Sequence, residues 1–234
     1  GPTAPSIRGI NITTTTASTT INVHYNTIYL NAASTATNFG TAGLYATANA
    51  TATTAALNLR NNIIVDGSTP GGTGFSSAYQ RSSTNLGNYG SVSNNNLFYA
   101  PTIFYDGTTQ YNLAGYKALV STRDAASITE LPTFVSTTGG DATFLHINPA
   151  TPTQIESGGI TIATYTTDFD GDARYPEPGY PNNLSFPATA PDIGADEFAG
   201  ISIDLAPPVI SYSPLGNTSG TGNRTLITSI SDVG

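Results

Sequence analysis

Asp168-Phe169-Asp170-Gly171-Asp172 is the stretch whose residue types and spacing are best suited to chemistry. Three carboxylates at alternate positions around a glycine turn can converge on one hard cation, as calcium loops do. Asp192, Asp196 and Glu197 could add oxygens if the chain folds back. The stretch is not an EF-hand loop, because Gly179 stands where that pattern has its bidentate glutamate. Two readings stay open. In one, Asp168, Asp170, Asp172, Asp192 and Asp196 bind Ca2+, which stiffens the end of the domain and its joint to the next module. In the other, Asp168 and Asp172 cap turns and pair with Arg174, sealing an open end of the fold.

Catalytic chemistry has thinner support. A polysaccharide lyase needs a Lys or Arg base and a cation or arginine to neutralise the substrate acid. Lys117 falls on a helical pattern, and Arg60, Arg81, Arg123, Arg174 and Arg224 are scattered, with Arg60 alone on a clear strand. A glycosidase needs converging carboxylates, yet Asp66 and Asp106 are the only acids near the strand patterns. His24 and His146 lie far apart in strand patterns, as structural or surface residues do. No Gly-x-Ser-x-Gly elbow occurs, and the Gly67 to Gly74 loop lacks a Gly-Lys-Ser/Thr phosphate cradle. The expectation is therefore no catalytic residue, with a lyase or glycosidase as the alternative.

The elements that must position these acids are read from a repeat. Val23-His24-Tyr25-Asn26-Thr27-Ile28 comes back as Leu59-Arg60-Asn61-Asn62-Ile63-Ile64 and as Val92-Ser93-Asn94-Asn95-Asn96-Leu97. All three read apolar, x, x, Asn, x, apolar. Such a recurrence marks stacked supersecondary units. Two-residue alternation of Ile21, Val23 and Tyr25 against Asn22 and His24 is strand chemistry, not helix chemistry. Parallel strands stack equivalent residues about 4.8 Å apart. Asn26, Asn62 and Asn95 are therefore expected to form a ladder of side-chain amides at a corner of a right-handed parallel β-helix. The plainer alternative is three ordinary hairpin turns.

Composition is consistent with an exposed, weakly charged β-protein. Only 9% of the 234 residues are charged, with one lysine, and the net charge of −8 argues against nucleic acid. There is no cysteine for disulfides or thiolate metal sites, and no apolar run of about eighteen residues to span a membrane. The abrupt ends predict a fragment of something longer.

Along the chain, the Thr-rich run from Thr13 to Thr20 is expected to be an exposed first strand or a partly ordered edge. Rung strands follow at 21–30, 57–66 and 91–99. The Ala/Thr/Asn-rich 31–56 stretch is either wall or excursion, and Tyr79 to Ser83 leads to the third rung. Leu113, Tyr116, Leu119 and Val120 have helical spacing, with Asn112 placed to cap them. Leu131 to Val135 and Phe144 to Ile147 read as short strands. Ala206-Pro207-Pro208 signals a linker, after which Val209 to Tyr212 and Arg224 to Ile230 read as the first strands of another β-domain. The expected domains are 1–205, with a cap at about 160–205, and 206–234. Asn-x-Ser/Thr triplets at Asn11, Asn49, Asn183, Asn217 and Asn223 are weak glycosylation signals in so Asn- and Thr-rich a chain.

Rungs, Tyr105-Asp106-Gly107-Thr108, the helix, Leu131 to Val135, Thr167 to Arg174 and Pro191 to Phe198 occur in that order. The chain resembles the C-terminal part of pectate-lyase-like β-helix domains in very large bacterial surface proteins. The segment from Pro207 to Thr218 resembles the opening of an immunoglobulin-like module that often follows them. The resemblance covers roughly residues 21 to 234. It implies a secreted, non-enzymatic segment of an adhesin or fibre at the cell surface. Its expected partners are other copies, neighbouring modules or cell-surface polysaccharide, with no nucleic acid and no membrane insertion.

Overall fold

The computed structural model describes residues 4–13, 16–183, 187–203, 209–217 and 219–231. Among them the secondary structure is almost entirely β, with one helix. The chain divides into two compact units, residues 1–202 and 203–234, so the break falls just before the expected boundary.

In the first unit nine strands build three parallel ladders. They are β1 (Ile7–Ile12), β2 (Thr20–His24), β3 (Thr27–Leu30), β4 (Thr41–Ala46), β5 (Ala56–Arg60), β6 (Ile63–Asp66), β7 (Ser76–Arg81), β8 (Leu97–Tyr99) and β9 (Thr102–Tyr105). The ladders run β1-β4-β7-β9, β2-β5 and β3-β6-β8, and a short antiparallel β10 (Gln110–Tyr111) closes the first beside β9. Register puts like residues side by side: Ile10, Leu44, Tyr79 and Phe104 in one ladder, and Ile28, Ile64 and Phe98 in another. These side chains meet Leu57 and Leu59 of β5 in one apolar core between the three ladders. Burying each such side chain contributes about 1.5–3 kcal/mol.

A second core lies on the other face of β3-β6-β8. Ile63, Val65 and Leu97 pack there against Ile147, Ile155, Ile193 and Phe198 from the C-terminal part of the unit. Covered on both faces, β6 is buried at all four positions, which is why Ile63-Ile64-Val65 reads as a continuous apolar run rather than an alternation. The C-terminal segment therefore lies along the side of the ladders. Tyr25 Oη donates to Ile160 O, Asn61 exchanges two hydrogen bonds with the Ile160 backbone, and Asn95 Nδ2 donates to Gly158 O.

The corner between β2 and β3, and its counterparts, carry the amide chain. Asn26 Nδ2 donates to Asn62 Oδ1 at 3.0 Å, and Asn62 Nδ2 donates to Asn96 Oδ1 at 2.9 Å. The third amide is thus Asn96, not Asn95. Asn95 instead matches Asn61 and Tyr25, all left-handed with φ of 55°, 55° and 54°. Asparagine tolerates that region well, so an Asn-Asn doublet divides the labour: the first residue turns the corner and the second extends the ladder. The chain of amides ends on a carboxylate, where Asn96 Nδ2 donates to Asp124 Oδ1 at 3.0 Å.

Helix α1 (Leu113–Val120) buries Tyr116 and Val120, and Asn112 accepts from the Gly115 amide as its N-cap. The Tyr116 ring lies 4.7 Å from Phe104 and 5.6 Å from Phe98, and Val120 and the half-buried Leu113 join the same core, whereas Leu119 of the expected stripe is exposed. Its hydroxyl donates to Asp124 Oδ2 at 2.7 Å.

Several expectations shift. The first strand is β1, upstream of the Thr-rich run, of which Thr14 and Thr15 lie outside the described residues. Each expected rung bends at its corner instead of running straight. β4 lies within 31–56, so part of that stretch is ladder, and β7 is a strand in its own right rather than a lead-in. The segments at 131–135 and 144–147 meet only through single bridges, Phe134 to Ile147 and Ser136 to Phe144. In the second unit β11 (Val209–Tyr212) pairs antiparallel with β12 (Thr228–Ser231), and every residue of both is exposed. β12 starts later than the expected Arg224, and Ala206 to Pro208 lie outside the described residues. Among the described residues no helix is long and apolar enough to cross a membrane.

Candidate metal centre

The acids singled out in the sequence sit in the C-terminal part of the first unit, and they divide into three groups. Asp168 organises its own turn. Its Oδ1 accepts from the amides of Asp170, Gly171 and Asp172, each at 2.9 Å, and its Oδ2 accepts from Glu197 N at 3.0 Å. Gly171, at φ 96°, supplies the left-handed residue this turn needs. Asp172 adds its backbone carbonyl, which accepts from Asp168 N, while its side chain is exposed. The alternate spacing thus builds a turn rather than a three-carboxylate cage.

Asp192 belongs to a buried acid cluster with Glu156 and Glu197. Its two oxygens accept from Ser157 N at 2.7 Å and Phe198 N at 2.9 Å. Glu156 accepts from Gly200 N at 2.7 Å, and Glu197 accepts from the amides of Tyr175 and Asp192. The one guanidinium among these three acids, Arg174, binds Glu197 at 3.0 Å, not Asp168 or Asp172. It also donates to Gly194 O and Ala195 O and lies 4.0 Å over the Tyr25 ring. Burial, with Glu197 charge adding to it, pushes the Glu156 carboxyl up to about 7 against its backbone and hydroxyl donors. Burial and the neighbouring carboxylates likewise hold Asp192 well above the ordinary range, and burial raises Glu197. Neutral acids are what a buried site short of positive charge favours.

Asp170 and Asp196 remain, and a histidine read from sequence as a structural or surface residue joins them. His146 Nε2 lies 3.2 Å from Asp170 Oδ2, and its Nδ1 lies 3.9 Å from Asp196 Oδ1. One donor atom from each of the three falls within 4.8 Å of the others. Asp196 Oδ2 is fixed by Ile147 N at 3.0 Å, and burial, reinforced by Asp168 and Asp170, raises its carboxyl above the usual range. Beside the trio opens a cavity of about 220 Å³, lined mostly by apolar groups including Phe144, Leu145 and Phe169. Phe169 is 86% exposed, which is unusual for a ring unless something covers or meets it.

No family model matches this chain, and neither does a curated protein or a solved structure. The chemistry of the site therefore rests on its own geometry. The five-acid cage expected for Ca2+ does not assemble, because the oxygens of Asp168 and Asp192 are spent on backbone amides. His146 carried no sequence signal, since Phe144-Leu145-His146-Ile147 reads as an ordinary alternating strand. Glu156 carried none either. The other acids near the strands are structural: Asp66 accepts from Thr41 Oγ1 and Ser68 N, and Asp106 accepts from Thr108, Thr109 and Tyr111.

Proposed function

We propose that this chain is a non-enzymatic structural and adhesive segment of a very large, secreted bacterial surface protein. In this reading residues 1–205 form a right-handed parallel β-helix and 206–234 open an immunoglobulin-like module. The observation that supports it most is the parallel pairing of strands 34 to 36 residues apart in β1-β4, β4-β7, β2-β5, β3-β6 and β6-β8, shortened to 25 in β7-β9, and continued by the amide chain Asn26-Asn62-Asn96. Parallel ladders of this kind load many backbone hydrogen bonds together when the chain is sheared. A single lysine also leaves few sites for lysine-directed proteases.

The partners that fit are neighbouring modules of the same long protein, other copies of it, or polysaccharide at the cell surface. Unpaired edges at the ends of stacked ladders need such cover. A polysaccharide lyase or glycosidase is the competing reading, and the hydrogen-bonded state of Asp66 and Asp106 weighs against it. Incubation with acidic and neutral polysaccharides separates the two. The structural reading expects no product, and release of unsaturated or reducing ends would overturn it.

A further inference from the structure

We propose that His146, Asp170 and Asp196 bind one divalent transition-metal ion of the Zn2+ type, rather than Ca2+. Three observations converge on this. First, the donor set is one imidazole and two carboxylates. Calcium takes an all-oxygen shell, whereas imidazole suits zinc, copper, iron and nickel. Second, the donors are already close: one donor atom of each residue lies within 4.8 Å of the other two, and His146 Nε2 stands 3.2 Å from Asp170 Oδ2. Bonds of about 2.1 Å to a tetrahedral ion place its ligands about 3.5 Å apart. The trio, within 4.8 Å, therefore needs only a side-chain adjustment of about an ångström. Third, the residues differ in how tightly they are held. Asp196 is nearly buried and fixed through Ile147 N. Asp170 sits on the exposed Gly171 turn, and among the described residues its carboxylate meets His146 alone. A fixed donor and a free one suit a site that closes on its ion.

Three protein ligands leave at least one coordination position open. Here that position would be filled by water or by a donor from a partner, beside the cavity lined by Phe144, Leu145 and Phe169. The ion would tie together three segments distant in sequence, around residues 146, 170 and 196. Two of these segments, through Ile147 and through Ile193 and Phe198, also hold the second core against β3-β6-β8, so the ion acts as a staple on that packing. The assignment does not depend on the structural or adhesive role, and its test leaves that role untouched.

The test is a calorimetric titration of the whole chain, stripped of metal, with ZnCl2 and separately with CaCl2. Thermal melts and the visible spectrum of added Co2+ run alongside. One Zn2+ per chain should bind, and roughly hundredfold excess over Kd should raise Tm by about 5 °C or more. Co2+ should give d–d bands characteristic of mixed nitrogen and oxygen ligands. His146→Ala and Asp170→Asn should each weaken Zn2+ at least about tenfold. Asp172→Asn, on the same turn but outside the trio, should leave binding unchanged. Asp170 is exposed, so its variant keeps the test valid should His146→Ala fail to fold. Absence of Zn2+ binding would overturn the assignment. So would Zn2+ affinity unaltered in Asp170→Asn, or Ca2+ bound more tightly than Zn2+.

Discussion

Asn62 is fully buried and uses every hydrogen-bonding capacity of its side chain. Oδ1 accepts from the backbone and side-chain nitrogens of Asn26, and Nδ2 donates to Val23 O and Asn96 Oδ1. Truncating it strands several buried partners at once, each costing about 1–3 kcal/mol before relaxation. Asn95 differs by one position and by role. It holds a left-handed corner and makes one side-chain bond, to Gly158 O. Asn62→Ala should therefore lower unfolding free energy in urea by about 3 kcal/mol, and Asn95→Ala by about 1 kcal/mol. Equal losses would contradict the division of labour within the doublet. The repeated asparagines were legible as a ladder from spacing alone, but which asparagine was not. A one-residue shift reverses the side a residue faces, and neighbouring asparagines at 61–62 and 94–96 left the register open until backbone angles were known.

Among the elements, β4 and β7 were the least visible in the sequence. Small residues crowd Thr41-Ala42-Gly43-Leu44-Tyr45-Ala46, which left wall and excursion both open, and Ser76-Ser77-Ala78-Tyr79-Gln80-Arg81 reads only as a lead into the third rung. Their smallness is a packing requirement. A Cβ on Gly43 would stand 2.3 Å from Ile64 Cγ2 and 2.8 Å from Ala78 O. The column formed by Gly9, Gly43 and Ala78 thus makes room for Ile28 and Ile64. Gly43→Ala should cost about 2 kcal/mol or more through overpacking, while Gly139→Ala, with nothing near its would-be Cβ, should leave chemical denaturation midpoints almost unchanged. A neutral Gly43→Ala would mean the two ladders pack less closely than these distances require. Helix α1 was legible for the opposite reason, since its apolar spacing and its cap both lie within nine residues of sequence, Asn112 to Val120.

For the molecule as a whole, the buried acids around Arg174 set the response to pH. The Glu156 carboxyl is raised to about 7 in the folded state, above its ordinary unfolded value, and Asp192 and Glu197 shift the same way. A raised carboxyl stabilises the fold fully below its unfolded pKa and loses that contribution as pH climbs through the folded one. Tm should therefore be higher near pH 5 than near pH 8, and Glu156→Gln should flatten that fall. A Tm that rises across this interval would contradict the assignment. Asp106 works in the opposite sense at lower pH. Burial tends to raise it, but the donors Thr109, Thr108 and Tyr111 prevail and lower it, so its contribution is lost only in stronger acid. What the sequence by itself determined is local and periodic: strand chemistry, the asparagine recurrence, the capped helix and a second β-segment after the first unit. Those signals survive because each depends on neighbours within one strand or one return of the chain. Only the tertiary structure decided which acids meet. Asp168 turned to its own backbone, Arg174 chose Glu197 over the acids nearest it in sequence, and His146 came to lie between Asp170 and Asp196. Those partners lie 23 to 50 residues apart, and side-chain pairing at such separations follows the path of the folded chain, which no local pattern encodes.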